Sequence, residues 1–119
     1  MNIQTKRVYE TPSPDDGFRI LVDRVWPRGM TKERVRAGLW LKDVAPSTGL
    51  RKWFGHDRAK WAEFKHRYIA ELKANPEAVA VLLDKTAKGR LTLLFSAQDA
   101  ECNQAVVLKE YLASYSKKA

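Results

Sequence analysis

The chain has 119 residues, of which 45% are hydrophobic and 30% are charged, and these values are typical of one globular domain. Lys and Arg outnumber Asp and Glu by 22 to 14, which gives a formal net charge of +8; such a surplus attracts phosphates, nucleic acids or acidic proteins, or serves only solubility. The N-terminus MNIQTKRVYE lacks the apolar core of a signal peptide, and no stretch reaches the ~18 apolar residues of a membrane span. Cys102 has no second cysteine with which to form a disulfide. We therefore expect a cytoplasmic protein without a membrane partner.

Four segments have the pattern of β-strands. IQTKRVY (3–9) alternates weakly and predicts an edge strand. FRILVDRV (18–25) contains a continuous apolar run, which is typical of a strand buried on both faces, and Pro27 ends it because proline has no N–H to donate. LWLKDV (39–44) and LTLLF (91–95) predict two further strands, the second of them fully buried.

Helices are predicted between and after these strands from their capping residues. A short helix over 32–37 follows a good N-cap, with Met30 and Val35 at the two positions of a hydrophobic staple. Gly55 and Gly89 are placed to end two of the later helices. The residues expected to cap the five helices are, in chain order, Thr31, Ser47 or Thr48, Asp57, Asn75 and Asp99.

The order of elements is therefore two strands, a short helix, a strand, three helices, a strand and a last helix. Strands that alternate with helices favour an α/β fold. We expect a single domain over 1–119, with a small, mostly parallel sheet of about four strands flanked by helices on both faces. There is no internal repeat, low-complexity tract or flexible linker to divide the chain.

Polar residues follow the three strands that we take as central. In open α/β sheets, ligands bind beyond the carboxyl ends of the strands, and the N-termini of the helices that follow favour anions. We therefore expect a pocket for an anionic small molecule at this edge of the sheet. Its ligand-binding candidates from the strand ends are Arg24, Trp26, Arg28, Gly29, Lys42, Ser47 and Ser96.

The motif RVWPRG (24–29) is the first of two unusual stretches. Arg24 and Arg28 can hold a phosphate or carboxylate with bidentate guanidinium groups, and Gly29 would let the backbone approach the ligand closely. In the alternative, structural interpretation, Trp26 covers the core, Pro27 forms a turn, and both arginines are solvated.

The second stretch is LRKWFGHD (50–57). In a functional role, Trp53 and Trp61 would form an aromatic wall beside Arg51, and His56 would act as an acid or base near neutral pH. In a structural role, both tryptophans lie in the core, and His56 holds the helix junction through Asp57. If the protein is an enzyme, the proton-transfer candidates are Asp43, His56 and Asp99.

Several kinds of site have no motif in this sequence. A Walker loop, a GxGxxG fingerprint, a GxSxG elbow and a four-ligand zinc set are all missing, so we expect no metal and no cofactor. Ser96 is interpreted as a ligand-binding or capping hydroxyl. Cys102 is placed in the first turn of the last helix, where it is either a buried, inert thiol or one with a lowered pKa.

Five motifs in order give a family resemblance: DRVWPRG, LWLKDVAPS, LRKWFGHD, LLFSAQD and NQAVVLKEYL. Together they resemble the YeaO-like branch of the domain-of-unknown-function family 488 (DUF488), from about Arg7 to Leu112. The resemblance implies a bacterial cytoplasmic α/β domain whose family has no settled activity. It adds Asn103 to the candidates for the strand-end pocket. It also implies that a histidine is common at the position of Cys102, so chemistry that depends on a histidine or a cysteine there is not expected.

Three functions compete at this stage. The first is a binder, or an enzyme, for a phosphate- or carboxylate-bearing small molecule, including a nucleotide-like one. The second is a nucleic-acid-binding module that uses the +8 charge, although RKWFGHDRAKW poorly suits base readout because its second helix begins with Asp57 and buries Trp61. The third is a domain that docks an acidic protein. The sequence does not specify an oligomeric state.

Overall fold

The computed structural model describes residues 1–116, and the order of elements is the predicted one. The strands are β1 (Ile3–Arg7), β2 (Phe18–Leu21), β3 (Leu39–Trp40) and β4 (Leu91–Phe95). The helices are α1 (Lys32–Val35), α2 (Thr48–Phe54), α3 (Trp61–Lys73), α4 (Pro76–Thr86) and α5 (Gln104–Ser116). Short 3-10 turns lie at Pro14–Asp16, Lys42–Val44 and Arg58–Lys60. Within the described residues, none of the helices combines the length and apolar character that crossing a membrane requires.

The four strands form one parallel sheet in the order β1-β4-β2-β3. Ile20 pairs with Leu93, and Leu21 pairs with Leu94, so β2 and β4 are the two inner strands. This confirms the α/β fold class, and β1 is an edge strand as predicted. Strand β3, which we took as central, is the opposite edge.

Alternating side chains of the inner strands fill two apolar cores on opposite faces of the sheet. Ile20 and Leu93 belong to the larger core, which the helices α2 to α5 cover, whereas Leu21 and Leu94 belong to a smaller core with Val35 of α1. All five residues of β4 are buried. The predicted continuous apolar runs therefore reflect strands with a packed layer on each side.

Two predicted strands end earlier than their patterns suggest. Strand β2 ends at Leu21 instead of continuing to residue 25, although the Val22 amide still donates to the Leu94 carbonyl at 3.0 Å. Strand β3 ends at Trp40, and residues 42–44 of its apolar pattern form a 3-10 turn. A strand continues only while a partner is beside it, and at both points the chain turns away from its neighbour.

The caps of α1 and α2 are confirmed, because Thr31 accepts a hydrogen bond from the Arg34 amide at 3.2 Å and Ser47 accepts one from the Leu50 amide at 3.2 Å. Gly55 ends α2 with a left-handed φ of 54°, also as predicted.

The cap predicted for the last helix is wrong, because Asn103 occupies that position instead of Asp99. Its side-chain oxygen accepts from the amides of Ala105 and Val106 at 2.9 and 3.2 Å. Cys102 therefore precedes α5 and does not lie in its first turn. Asp57 caps the 3-10 turn that leads into α3, and the Asn75 side chain, which does not cap α4, donates to the Asp43 carbonyl at 2.7 Å.

A buried carboxylate fastens the amino-terminal end of the sheet. Asp16, which is 2% exposed, pairs with Lys6 at 3.1 Å and with the Arg19 guanidinium, and it also accepts from Gln4 at 2.9 Å and the Ser13 amide at 3.0 Å. Burial alone would raise the pKa of Asp16. The hydrogen bonds from Ser13, Lys6 and Arg19 outweigh burial and lower the pKa from 3.8 to about 2.

We expect Asp16→Asn to lower the free energy of unfolding at neutral pH by about 2 kcal/mol, since the lowered pKa makes the charged form the stabilising one. This contribution is complete above the unfolded pKa near 3.8 and is lost as the pH falls toward 2. Urea unfolding of wild type and variant from pH 7 to pH 2.5 measures the difference, which should shrink below about pH 4. Asp84→Asn is the control, because the Asp84–Lys88 pair is 60% and 68% exposed; an equal loss in both variants contradicts the prediction.

Candidate ligand-binding site

A pocket of about 730 Å³ opens at the edge of the sheet where the four parallel strands end. Every strand contributes residues that follow it, and α2 and α3 close one side with Arg51, Phe54 and Phe64. The lining residues that follow strands β1 to β4 are, in that order, Tyr9; Asp23 to Arg28; Ala45 and Pro46; and Ser96 to Asp99 with Cys102 to Gln104.

The pocket lies where the chain diverges from the sheet in two directions. The loop after β2 leads to α1 on one face, and the loop after β4 leads to α5 on the other face. Because β2 and β4 are neighbours, a crevice is left between these two loops. This is the topological switch point at which open α/β sheets bind ligands.

The loop from Asp23 to Met30 is held by hydrogen bonds at several points. The Trp26 indole donates to the Met30 carbonyl at 2.7 Å, and its ring packs edge-on against Trp40 with 5.3 Å between centroids. The Trp40 indole in turn donates to the Asp23 carbonyl at 2.7 Å. Pro27 is buried, and the Arg28 carbonyl accepts from the Tyr9 hydroxyl at 3.0 Å. The motif RVWPRG is thus tied to the rest of the fold at several points.

The arginines of the pocket have different roles. Arg24 donates to the carbonyls of Pro46 and Ala45, both at 3.0 Å, so part of its guanidinium group is used to tie the loop after β2 to the segment after β3. Arg28 and Arg51 are exposed, and neither forms an ion pair within residues 1–116.

One of the two aspartates in the lining is already neutralised. Asp99 accepts from Arg58 at 2.7 and 2.9 Å and from the amides of Glu101 and Cys102, both at 3.0 Å. These hydrogen bonds, that of Arg58 above all, lower the pKa of Asp99 to about 2. A carboxyl with so low a pKa is a poor proton acceptor near neutral pH.

The other aspartate, Asp23, lies just after β2 and is only 7% exposed. Its Oδ1 accepts from the Gln104 side chain at 2.6 Å, while Oδ2 is buried without a hydrogen-bond partner in the described chain. Burial raises the pKa of Asp23, and the polar groups of Ser96 and Gln104 and the charge of Arg51 oppose that rise. With three arginines around it, the pocket remains positive.

Eight of the residues predicted for a site lie around this pocket, and five do not. The side chains in the lining are Arg24, Trp26, Arg28, Arg51, His56, Ser96, Asp99 and Asn103; those outside it are Gly29, Lys42, Asp43, Ser47 and Trp53. His56 is exposed and has a left-handed φ of 59°, a conformation that few residues other than glycine adopt. Asn103 is buried and caps α5, so its amide oxygen is already occupied.

The residues outside the pocket have other contacts. Trp53 lies under Arg67, whose guanidinium carbon is 4.3 Å from the ring centroid, and Lys42 lies 4.4 Å from the ring of Trp40. Gly29 has a φ of 77°, and nothing lies within 4 Å of the Cβ that a larger residue would carry. Its glycine serves the turn, and because Gly29 lies outside the pocket lining, the close backbone approach to a ligand stays a prediction.

Asp43 and Ser47 line a separate cavity of about 140 Å³ on the other side of Arg24. The Ser47 hydroxyl donates to Glu71 at 2.6 Å, and its amide donates to the second oxygen of the same carboxylate at 2.8 Å. The proposed aromatic wall of Trp53 and Trp61 does not line the main pocket either, since Trp61 stacks on Phe64 with 5.7 Å between centroids.

Several lining residues were not among the candidates, and Asp23 and Gln104 are the most important of them. Asp23 carries a signal in the sequence, because it is the first polar residue after a buried apolar run. Gln104 carries none, because its role depends on where α5 begins, which the predicted cap placed too early. Tyr9 follows an edge strand whose end was not considered.

We expect Arg24→Ala to lower the free energy of unfolding by about 2 kcal/mol, because it leaves the buried carbonyls of Ala45 and Pro46 without their charged donor. Arg28→Ala removes the same side chain from an exposed position and should change stability by less than about 0.5 kcal/mol. Urea or guanidinium unfolding of both variants measures the difference. Equal stabilities would show that the Arg24 hydrogen bonds do not support the loop.

Comparison with known proteins matches residues 2–119 to a family model described as the inactive DUF488-N3 subclade. The chain is 45% identical to the uncharacterized protein YeaO of Escherichia coli (strain K12) over 114 residues, which cover 96% of this chain and 99% of that protein. It is 41% identical to the uncharacterized protein Rv3073c of Mycobacterium tuberculosis over 110 residues, which cover 92% of each chain. No solved structure matches it. The resemblance seen in the sequence motifs is confirmed, and the chain belongs to the DUF488 family.

Proposed function

We propose that the strand-end pocket binds a small molecule that carries a phosphate or carboxylate group. The observation that supports this most directly is the pair Arg28 and Arg51, which line the pocket and form no ion pair with a described carboxylate. Like charges that a fold does not use repel one another and reduce stability. An anion in the pocket would remove that repulsion.

The chemistry of the two side chains suits this ligand. A guanidinium group is always charged near neutral pH and donates two parallel hydrogen bonds to a phosphate or carboxylate. Because Arg28 follows β2 and Arg51 belongs to α2, they approach from different elements and can hold one anion from two directions. His56 also lines the pocket, and its imidazole offers a further N–H donor.

Apolar side chains in the same lining provide a surface for the organic part of the ligand. Val25, Pro27 and Ala97 contribute aliphatic groups, and Phe54 and Phe64 contribute aromatic rings. The volume of about 730 Å³ falls within the range of pockets that hold metabolite-sized molecules. A mostly apolar cavity with a few placed charges is typical of a small-molecule site.

Binding without turnover is favoured over catalysis. The family model that matches the chain is described as an inactive subclade, and the carboxyls considered for proton transfer are poorly suited to it. Asp99 is held by Arg58, and Asp43 lies outside the main pocket. His56 is the remaining candidate, and nothing in the described structure orients its imidazole for proton transfer.

Nucleic-acid binding is the second candidate, because the pocket accounts for little of the basic surplus. Of the many Lys and Arg side chains within residues 1–116, only Arg24, Arg28 and Arg51 line it. Exposed basic residues also lie on α1 and α3, as Lys32, Arg34 and Arg67 show. Such a dispersed positive surface attracts a polyanion without a defined site.

We expect phosphorylated metabolites and nucleotides, screened by thermal shift, to include a ligand that raises the Tm by roughly 10 °C at a hundred times its Kd. Arg28→Ala and Arg51→Ala should each weaken that ligand at least about tenfold, because a charge-assisted hydrogen bond is lost. Arg34→Ala and Lys52→Ala are the controls, since both remove an exposed positive charge outside the pocket lining.

An unchanged affinity in both pocket variants would place the ligand elsewhere. Equal weakening in the pocket variants and the controls would indicate attraction to the overall positive charge, without a defined site.

For nucleic acid, we expect only weak retention of single-stranded DNA in mobility-shift titrations at about 50 mM salt, lost at about 200 mM salt. Because a dispersed surface is responsible, Arg28→Ala and Arg34→Ala should weaken the shift equally. Tight binding that persists at the higher salt concentration and depends on Arg28 alone would favour nucleic acid as the ligand of the pocket.

A further inference from the structure

The two buried aspartates at opposite ends of β2 differ in how completely they are satisfied. Asp16, before the strand, has hydrogen-bond partners on both carboxylate oxygens, including two basic side chains. Asp23, after the strand, has the Gln104 amide on Oδ1 and the polar groups of Ser96 nearby, but its buried Oδ2 has no hydrogen-bond partner and it forms no ion pair with another described residue. The fold therefore supplies hydrogen-bond partners to both oxygens of Asp16 and to only one oxygen of Asp23.

An incomplete buried carboxylate is costly, because it has lost water and has not regained all of its hydrogen bonds. The backbone carbonyl of Asp23 already anchors the Trp40 indole, and that contact does not need the carboxylate. A smaller neutral residue at this position would therefore retain the contact and avoid the cost. Since Asp23 also lines the pocket, its missing partner can be a hydrogen-bond donor of the ligand.

The groups beside Asp23 make the inner end of the pocket polar and rich in acceptors. Ser96 and Gln104 line the pocket next to it, and because Gln104 uses its amide N–H group on Asp23, its amide oxygen remains an acceptor. The positive groups that lack ion pairs, Arg28 and Arg51, are exposed, and the charge of Arg51 also acts on Asp23. A ligand that fits this lining has hydrogen-bond donors for the buried acceptors and an anionic group for the two arginines.

Aromatic side chains also line the pocket, and they pack against the apolar cores at the same time. Trp26, Phe54 and Phe64 are in the lining, and flat aromatic surfaces favour a planar ring over a sugar, which would need polar groups along its whole length. We infer that the ligand is a nucleotide whose base presents an N–H donor to Asp23 and whose phosphate lies at Arg28 and Arg51. This inference depends on the proposed function, because it identifies the anion that the same pocket binds.

The buried position of Oδ2 defines how the base reaches it. Gln104 is half-buried, and a small shift of its side chain would let the base donor reach Oδ2 while the Gln104 amide stays on Oδ1. A bridging water gives the same connection at nearly the same enthalpy. In either arrangement the nucleotide supplies the hydrogen bond that Oδ2 of Asp23 lacks.

The test uses isothermal titration calorimetry with AMP, GMP, CMP, UMP and ribose 5-phosphate, the last of which has the same phosphate and no base. We expect at least one nucleotide to bind about ten- to a hundredfold more tightly than ribose 5-phosphate. Asp23→Asn, which keeps the shape and removes the charge, should abolish most of that preference while leaving the affinity for ribose 5-phosphate unchanged. Asp84→Asn, which removes an exposed carboxylate outside the pocket, should change neither value.

Equal affinities for ribose 5-phosphate and all four nucleotides would overturn the inference and leave the proposed function intact; this comparison needs only the wild-type protein, so it does not depend on the folding of a variant. A nucleotide preference that persists fully in Asp23→Asn would also overturn the inference, because the base would then be recognised elsewhere. If none of the five compounds binds, the inference is overturned as well. The proposed function would be overturned by a separate result, namely a screen in which no anion loses affinity when Arg28 or Arg51 is replaced.

Discussion

The parallel pairing of β2 with β4 is the constraint on which the rest of the structure depends. Parallel strands leave the sheet at the same edge, so the residues after Leu21 and after Phe95 must begin close together. The helices that follow lie on opposite faces of the sheet, and the two loops therefore separate as soon as they leave it. The pocket is the space that this separation creates, and the apolar alternation along both strands maintains it.

The charged residues near this edge divide into those that build the loops and those that the fold does not use. Arg7 donates to the Ala97 carbonyl at 2.9 Å, and Arg24 donates to the Pro46 carbonyl at 3.0 Å. Both side chains therefore hold loop segments whose carbonyls have no partner in the sheet. Arginine suits this role because its fork reaches two carbonyls at once. The guanidinium groups of Arg28 and Arg51 hold no loop carbonyl of the described chain in this way. A positive composition alone does not distinguish these two classes; the hydrogen-bond partners do.

Local patterns in the sequence predicted the elements well and their ends less well. The apolar runs of β2 and β4 and the caps Thr31 and Ser47 depend on nearby residues, so they could be recognised without knowledge of the sheet. The premature ends of β2 and β3 depend on where a neighbouring strand is present, which no local pattern records. Asp99 was mistaken for the cap of α5 because it does accept backbone hydrogen bonds, although in the turn that precedes the helix.

The residues of the candidate site also divide into those that local patterns predict and those that depend on tertiary contacts. The general position at the strand ends follows from the alternation of strands and helices, and it brought Arg24, Trp26, Arg28 and Ser96 into consideration. Lys42 and Trp53 were included by proximity in sequence, and each instead makes a cation–π contact outside the pocket. Which side chains enter a pocket depends on the rotation of helices and turns by a single residue, which capping patterns do not determine to that accuracy.

The charged groups that line the pocket also affect the stability of the fold. Two arginines without ion pairs and one incompletely bonded carboxylate each reduce stability, and none of them supports the sheet or the two cores. A domain selected for stability alone would lose such groups, since single substitutions would relieve each cost. The ligand proposed above would satisfy all three groups at once. The description of the matching subclade as inactive does not remove this reason, because binding needs the charges and hydrogen bonds but no proton transfer.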